Sequence, residues 1–185
     1  MTETTKATAA AALDLGVYRV NRMGFGAMRI TGPGIWGPPE DPEECKRVLR
    51  RARELEVNFI DTADSYGPEV SENLIAEALY PYPEGLVIGT KAGLVRPAPG
   101  QWEADGRPEH LREAVESSLR RLRMDRLQVL QFHRPDPRVP YEESIGALVD
   151  MQREGKIQHI GVSNVNVDKL TRAMSMAVIV SVQNR

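Results

Sequence analysis

The sequence predicts an α/β fold, a TIM-type (β/α)8 barrel left incomplete: about six parallel strands, five connecting helices and an N-terminal hairpin. Three observations lead there. Short apolar runs recur, first Val57, Phe59 and Ile60, then Leu86-Val87-Ile88, then Leu127-Gln128-Val129-Leu130, of the kind a strand buried on both faces requires. Between them, apolar residues return at helical spacing, with turn residues at the joints. The alternation has no internal break, and right-handed crossovers turn such an alternation into one curling parallel sheet. A full barrel takes ~250 residues. A chain of 185 that stops at its sixth strand is expected to lack the last two units and to leave its first and sixth strands as open edges.

The elements follow in order. Residues 1–12 lack a basic n-region and a Leu-rich stretch, so they read as a disordered tail rather than a signal peptide, and the barrel domain is assigned to 13–185. Residues 13–23 alternate apolar and polar side chains around Asn21, which predicts a small hairpin. The first barrel strand is 24–28; its glycines fail the dinucleotide fingerprint because Arg29 replaces the third glycine. A Gly- and Pro-rich loop, 30–40, carries Trp36, which faces either a substrate or its own loop. Asp41, Pro42 and Glu44 form a helix start of capping-box spacing, and Val48, Leu49, Ala52 and Leu55 mark the packed face that follows. Cys45, in the first turn with no second Cys or His nearby, is read as structural.

After the strand that ends at Asp61, residues 70–79 make a short helix, stopped by Tyr80-Pro81-Tyr82-Pro83. The next strand ends on Lys91. A loop over 93–107, with Trp102 near its middle, is expected to be structureless and functional. Pro108 opens a helix with Leu111, Ala114, Val115, Leu119 and Leu122 inward and His110 exposed. The strand 127–132 leads to His133, and a further helix carries Ile145, Leu148 and Val149. The fifth strand, 157–162, contains His159, read as a hydrogen-bonded structural histidine, and ends at Ser163-Asn164. A last helix bears Val167, Leu170, Ala173 and Met174, and a sixth strand, 178–182, ends at Gln183-Asn184.

Composition narrows the function. A net charge of −2 gives no electrostatic case for nucleic acid or an anionic membrane. A single cysteine allows no internal disulfide and fits a cytoplasmic setting. The chemistry lies at three strand ends. Asp61, Lys91 and His133 close successive strands, and Tyr66 follows Asp61 by five residues, all on the edge where α/β barrels hold their active sites. A buried Asp61 needs a cation, and Lys91 is the candidate. Together the four suit carbonyl reduction: a hydride reaching a carbonyl carbon leaves charge on oxygen, which a tyrosine hydroxyl can quench. The Lys91 ammonium would favour the phenolate and strengthen the donor, Asp61 would balance it, and His133 would orient the oxygen or help carry the proton.

In Gly24-Phe25-Gly26, Asn58-Phe59-Ile60-Asp61-Thr62-Ala63-Asp64-Ser65-Tyr66-Gly67, Thr90-Lys91, Leu130-Gln131-Phe132-His133, Ile160-Gly161-Val162-Ser163-Asn164 and Val182-Gln183-Asn184, the chain resembles the aldo-keto reductase superfamily. The segment 30–39 is similar to a bacterial branch that includes pyridoxal reductases. The resemblance implies Asp61, Tyr66, Lys91 and His133 as the catalytic tetrad. It implies that Ser163, Asn164 and Gln183 hold the nicotinamide of NADPH, and that no metal is needed. It makes a small-molecule aldehyde or ketone the substrate. The competing class is an inactive or regulatory reductase-like fragment. A metal hydrolase lacks HExxH, and Asp61 and Asp64, three residues apart, are poorly placed to flank a glycosidic bond. Self-association through the open sheet edges is the expected liability.

Overall fold

The computed structural model describes residues 6–9 and 11–184. Six strands form one parallel sheet in the order β10-β9-β8-β5-β4-β3: β3 (Phe25–Gly26), β4 (Phe59–Asp61), β5 (Val87–Ala92), β8 (Leu127–Phe132), β9 (Ile157–Ser163) and β10 (Ile179–Gln183). Helices α1 (Pro42–Glu54), α2 (Val70–Leu79), α3 (Pro108–Leu122), α4 (Tyr141–Arg153) and α5 (Val167–Met176) connect them. This is the expected partial barrel.

The helices begin where the sequence directs. Asp41 accepts from the Glu44 N–H at 2.8 Å, and Pro42 occupies the first helical position. Asn166 caps α5 in the same way through the Lys169 N–H. One packed-face assignment is corrected: Val48 is 38% exposed while Leu49 is fully buried, because Val48 faces an open groove that it lines with Met23 and Phe25. The main core lies between sheet and helices, where Ile88, Leu130 and Ile160 meet Leu111, Ile145 and Leu148.

A second, smaller core closes the N-terminal end of the strands. The antiparallel hairpin of β1 (Ala12–Leu15) and β2 (Tyr18–Asn21) packs Leu15 and Val20 on Val87 and Val129. Its turn lies at Gly16-Val17, earlier than the alternation around Asn21 suggested. Gly16 has φ +63°, and a Cβ there would lie 2.3 Å from the His159 ring, so only glycine fits. His159 accepts from the Val17 N–H at 3.1 Å, the structural role expected of it.

Three expectations change. Of the predicted tail, residues 1–5 and 10 lie outside the described residues, but Ala7–Ala9 form a 3-10 turn. Ala7 is buried, and its N–H donates to Leu55 O, because a small residue fits beside Ala52 and Val57. The first strand is shorter than 24–28: after Gly26 the chain turns into a 3-10 segment, Ala27–Ile30, whose Ala27 O accepts from Ser71. The loop over 93–107 is not structureless. β6 (Leu94–Val95) pairs antiparallel with β7 (Glu103–Ala104), too briefly to leave an alternating pattern.

Candidate active site

Asp61, Lys91 and His133 stand at the C-terminal ends of β4, β5 and β8, which are adjacent in the sheet. Neighbouring strands lie about 4.8 Å apart, so residues 30 or more apart in the chain are brought within contact range. Tyr66 reaches the same point from the turn after β4, where Gly67 at φ +96° lets the chain double back.

The Lys91 ammonium is 1% exposed and donates three ways: to Asp61 Oδ2 at 2.8 Å, Thr62 O at 2.8 Å and the Tyr66 hydroxyl at 3.3 Å. The His133 ring packs edge-on to Tyr66, 5.8 Å between centroids, and its Nδ1 lies 3.4 Å from Ser65 Oγ. The structure therefore brings all four predicted residues together.

Their electrostatics differ from expectation at Tyr66. Burial, reinforced by Asp61 and Asp64, pushes its pKa up, although Lys91 was expected to favour the phenolate. The reason is that the ammonium is shared with Asp61 and Thr62, so it offsets a carboxylate before it can act on the phenol. Burial also lowers Lys91, against the opposing pull of Asp61. His133 is pushed down to about 3 by burial, with Lys91 and Arg134 adding to the effect, so it is neutral at pH 7. A neutral imidazole can orient an oxygen but brings no spare proton.

Beside this quartet stand Ser163, Asn164 and Gln183. Ser163 Oγ donates to Gln183 O at 2.7 Å, and Asn164 Nδ2 donates to His133 O at 3.0 Å and Ser163 Oγ at 2.9 Å. Gln183 Nε2 donates to Asp61 Oδ2 at 3.3 Å, tying the two groups together. Among the described residues, no protein donor satisfies Asn164 Oδ1 or Gln183 Oε1. Two amide oxygens that can accept and a second Gln183 N–H that can donate match the NH2 and C=O of a carboxamide.

Several participants escaped the sequence. Glu72 is fully buried and accepts from Thr90 Oγ1 at 2.5 Å and Arg121 Nε at 2.6 Å. A signal existed: Glu72 lies three and seven residues before the buried Ile75 and Leu79, on the packed face of α2. Asp64 sits in the turn after β4, its N–H donating to Lys91 O and its carbonyl accepting from the Glu69 N–H, while its Oδ1 is buried without a hydrogen-bond partner among the described residues. Burial beside Glu72 pushes its carboxyl up to about 8. His110, expected on the surface, is half-buried 3.9 Å from Asp105. Trp36 stacks on Arg96 rather than closing on its own loop alone.

Comparison with known proteins agrees with this geometry. The sequence pattern of the aldo/keto reductase family matches residues 22–185. The chain is 52% identical over 178 residues to an uncharacterized oxidoreductase of Schizosaccharomyces pombe, covering 96% of this chain and 58% of that protein. It is 45% identical over 176 residues to pyridoxine 4-dehydrogenase of Escherichia coli, covering 92% and 62%. Among solved structures, a glycerol dehydrogenase from Gluconobacter oxydans superposes with a TM-score of 0.85 at 29% identity, over 94% of this chain and 54% of that one. The chain thus spans somewhat over half the length of these relatives.

Proposed function

The chain belongs to the aldo/keto reductase family, and from that premise we propose that its site reduces an aldehyde or ketone with NADPH, Tyr66 acting as the general acid. The observation that carries this reading is the single Lys91 ammonium bonded to both Asp61 and the Tyr66 hydroxyl. NADPH, when bound, would supply the hydride. Asn164 and Gln183 would hold its carboxamide through their free amide groups, with Ser163 fixing both from behind.

Tyr66 keeps its proton in the resting site, since burial, and next the Asp61 carboxylate, oppose its loss. As negative charge develops on the substrate oxygen, the proton moves from the Tyr66 hydroxyl to that oxygen. The Lys91 ammonium then stabilises the phenolate left behind, which is the moment at which its third hydrogen bond matters. Neutral His133 orients the oxygen from the opposite element. Close packing around Lys91, Tyr66 and His133 excludes water from the transfer. The cytoplasm is the proposed setting, where Cys45 remains a thiol.

Gln183 stands at the exposed end of β10, so among the described residues the carboxamide site is walled on one flank only. NADPH binding by the 185-residue chain is therefore expected to be weaker than micromolar, as a fluorescence titration will read. Tyr66→Phe tests the role of the phenol: carbonyl turnover should fall by about 10²–10⁴-fold with NADPH affinity unchanged. Turnover that survives the substitution would remove Tyr66 from the mechanism.

A further inference from the structure

Arg96 follows β6 and is 8% exposed, a rare position for a guanidinium without a carboxylate partner. Among the described residues it forms no salt bridge. Its donors go to carbonyl oxygens on three separate loops. Nη1 donates to Ile35 O at 2.7 Å and Nη2 to Gly34 O at 3.3 Å, both on the loop after β3. Nη1 also donates to Ser65 O at 3.4 Å, on the turn after β4 and one residue before Tyr66. Nε donates to Gln101 O at 2.8 Å, on the loop after β5.

The guanidinium plane meets both tryptophans of the chain. Its central carbon lies 3.7 Å from the Trp102 ring centroid and 5.5 Å from that of Trp36. Trp102 in turn stands edge-on to Tyr66, with 6.5 Å between centroids. Only a planar group with donors in a fixed fork can serve three loops and stack on an indole at once; an ammonium on a flexible stem cannot. With four of its five N–H donors taken by carbonyls, Arg96 is not a cation waiting for an anionic substrate.

We propose that Arg96 is a positioning residue: it bolts the three loops together and holds Trp36 and Trp102 as a preformed wall beside Tyr66. The inference rests on the carbonyl-reduction reading for its kinetic consequence but not for its structural one. A wall already in place saves the ordering that substrate would otherwise have to impose, so the clamp acts on substrate binding rather than on proton transfer.

Both consequences can be read separately in the 185-residue chain. Because the chain has only two tryptophans and Arg96 touches both, intrinsic emission reports directly on the clamp. Arg96→Lys, which keeps the charge, and Arg96→Ala should each shift the emission to longer wavelength and raise acrylamide quenching, Ala more than Lys, while the far-UV circular dichroism stays native. Emission and quenching equal to the parent in a folded Arg96→Lys chain would overturn the clamp, and Arg96→Lys serves alone if the alanine variant does not fold. With an aromatic aldehyde, Arg96→Lys should raise KM about tenfold and leave kcat within about twofold; a loss in kcat at constant KM would overturn the positioning role. A parent chain without turnover at saturating NADPH would instead count against carbonyl reduction, and the emission comparison would still decide the clamp.

Discussion

In β5 all six residues are buried and in β8 five of six, whereas no residue of β10 is buried and β3 has none either. The margins show the same contrast in their helices: Val167 is 79% and Met174 61% exposed on α5, and beside β3 a groove of about 460 Å³ is lined by Met23, Phe25 and Val48. The functional groups divide along this line. Asp61, Lys91, Tyr66 and His133 stand on or beside the packed centre, while Gln183 ends the β10 margin. Packing thus preorganises the proton-handling groups completely, and the proposed cofactor amides only from one side. A parallel sheet is stable where both faces are covered, so precision is available at the centre and declines toward an uncovered edge.

The comparison can be broken hardest at the centre. Asp61→Asn leaves the Lys91 ammonium buried without a counter-charge and should cost ~3–5 kcal/mol in urea denaturation at pH 7. A loss below about 1 kcal/mol would mean that the pair is not held as tightly as its 2.8 Å contact implies. Next come two apolar truncations, one in each region. Leu130→Ala, at a fully buried position, should cost ~2–5 kcal/mol. Val182→Ala, at a position 45% exposed, should stay within about 0.5 kcal/mol. Equal losses at the two sites would erase the distinction between centre and margin.

A smaller effect follows from pH. Asp64 is raised to about 8 in the folded chain, so the fold binds its proton more tightly than the unfolded chain does. Stability linked to it is fully present below the ordinary carboxylate pKa and is lost as pH rises through 8. His133, lowered to about 3, acts oppositely: its contribution is present above the ordinary imidazole pKa of about 6.5 and is lost as pH falls toward 3. Between these two groups only Asp64 titrates above 6.5, so stability should fall by up to about 2 kcal/mol from pH 6.5 to 8. Chemical denaturation at the two pH values measures it, and Asp64→Asn should flatten the slope.

The gentlest test concerns the margin alone. The 185-residue chain is expected to pair with other copies through its open edges. Light scattering should detect larger species that Val178→Lys with Val182→Lys reduces, at little change in folding stability. A monodisperse parent chain would mean that the margins are already protected.

Much of this was legible in the sequence because it is governed by local rules. The Asp41-Pro42-Glu44 helix start and the short apolar runs within β5 and β8 each state a conformation without reference to distant residues. The four chemical residues could be nominated because ionisable groups at the ends of buried strands are costly unless used together. Arg96 left no such mark: it is an arginine in a Pro- and Gly-rich loop, indistinguishable by type from solvated arginines, and its partners are backbone carbonyls as far as 62 residues away. The docked Ala7 was hidden for the same reason, since an alanine acquires its burial only from what packs on it.

The sequence by itself determined the order and type of the six barrel strands and five helices and which strand ends carry chemistry, because hydrophobic period, caps and turn residues act over a few neighbours. Only the tertiary structure decided the electrostatics: that Tyr66 holds its proton more firmly, that His133 is neutral and that Lys91 is shared between Asp61 and Tyr66. Those properties depend on burial and on charges brought close by strand pairing, and neither quantity exists until the sheet has formed.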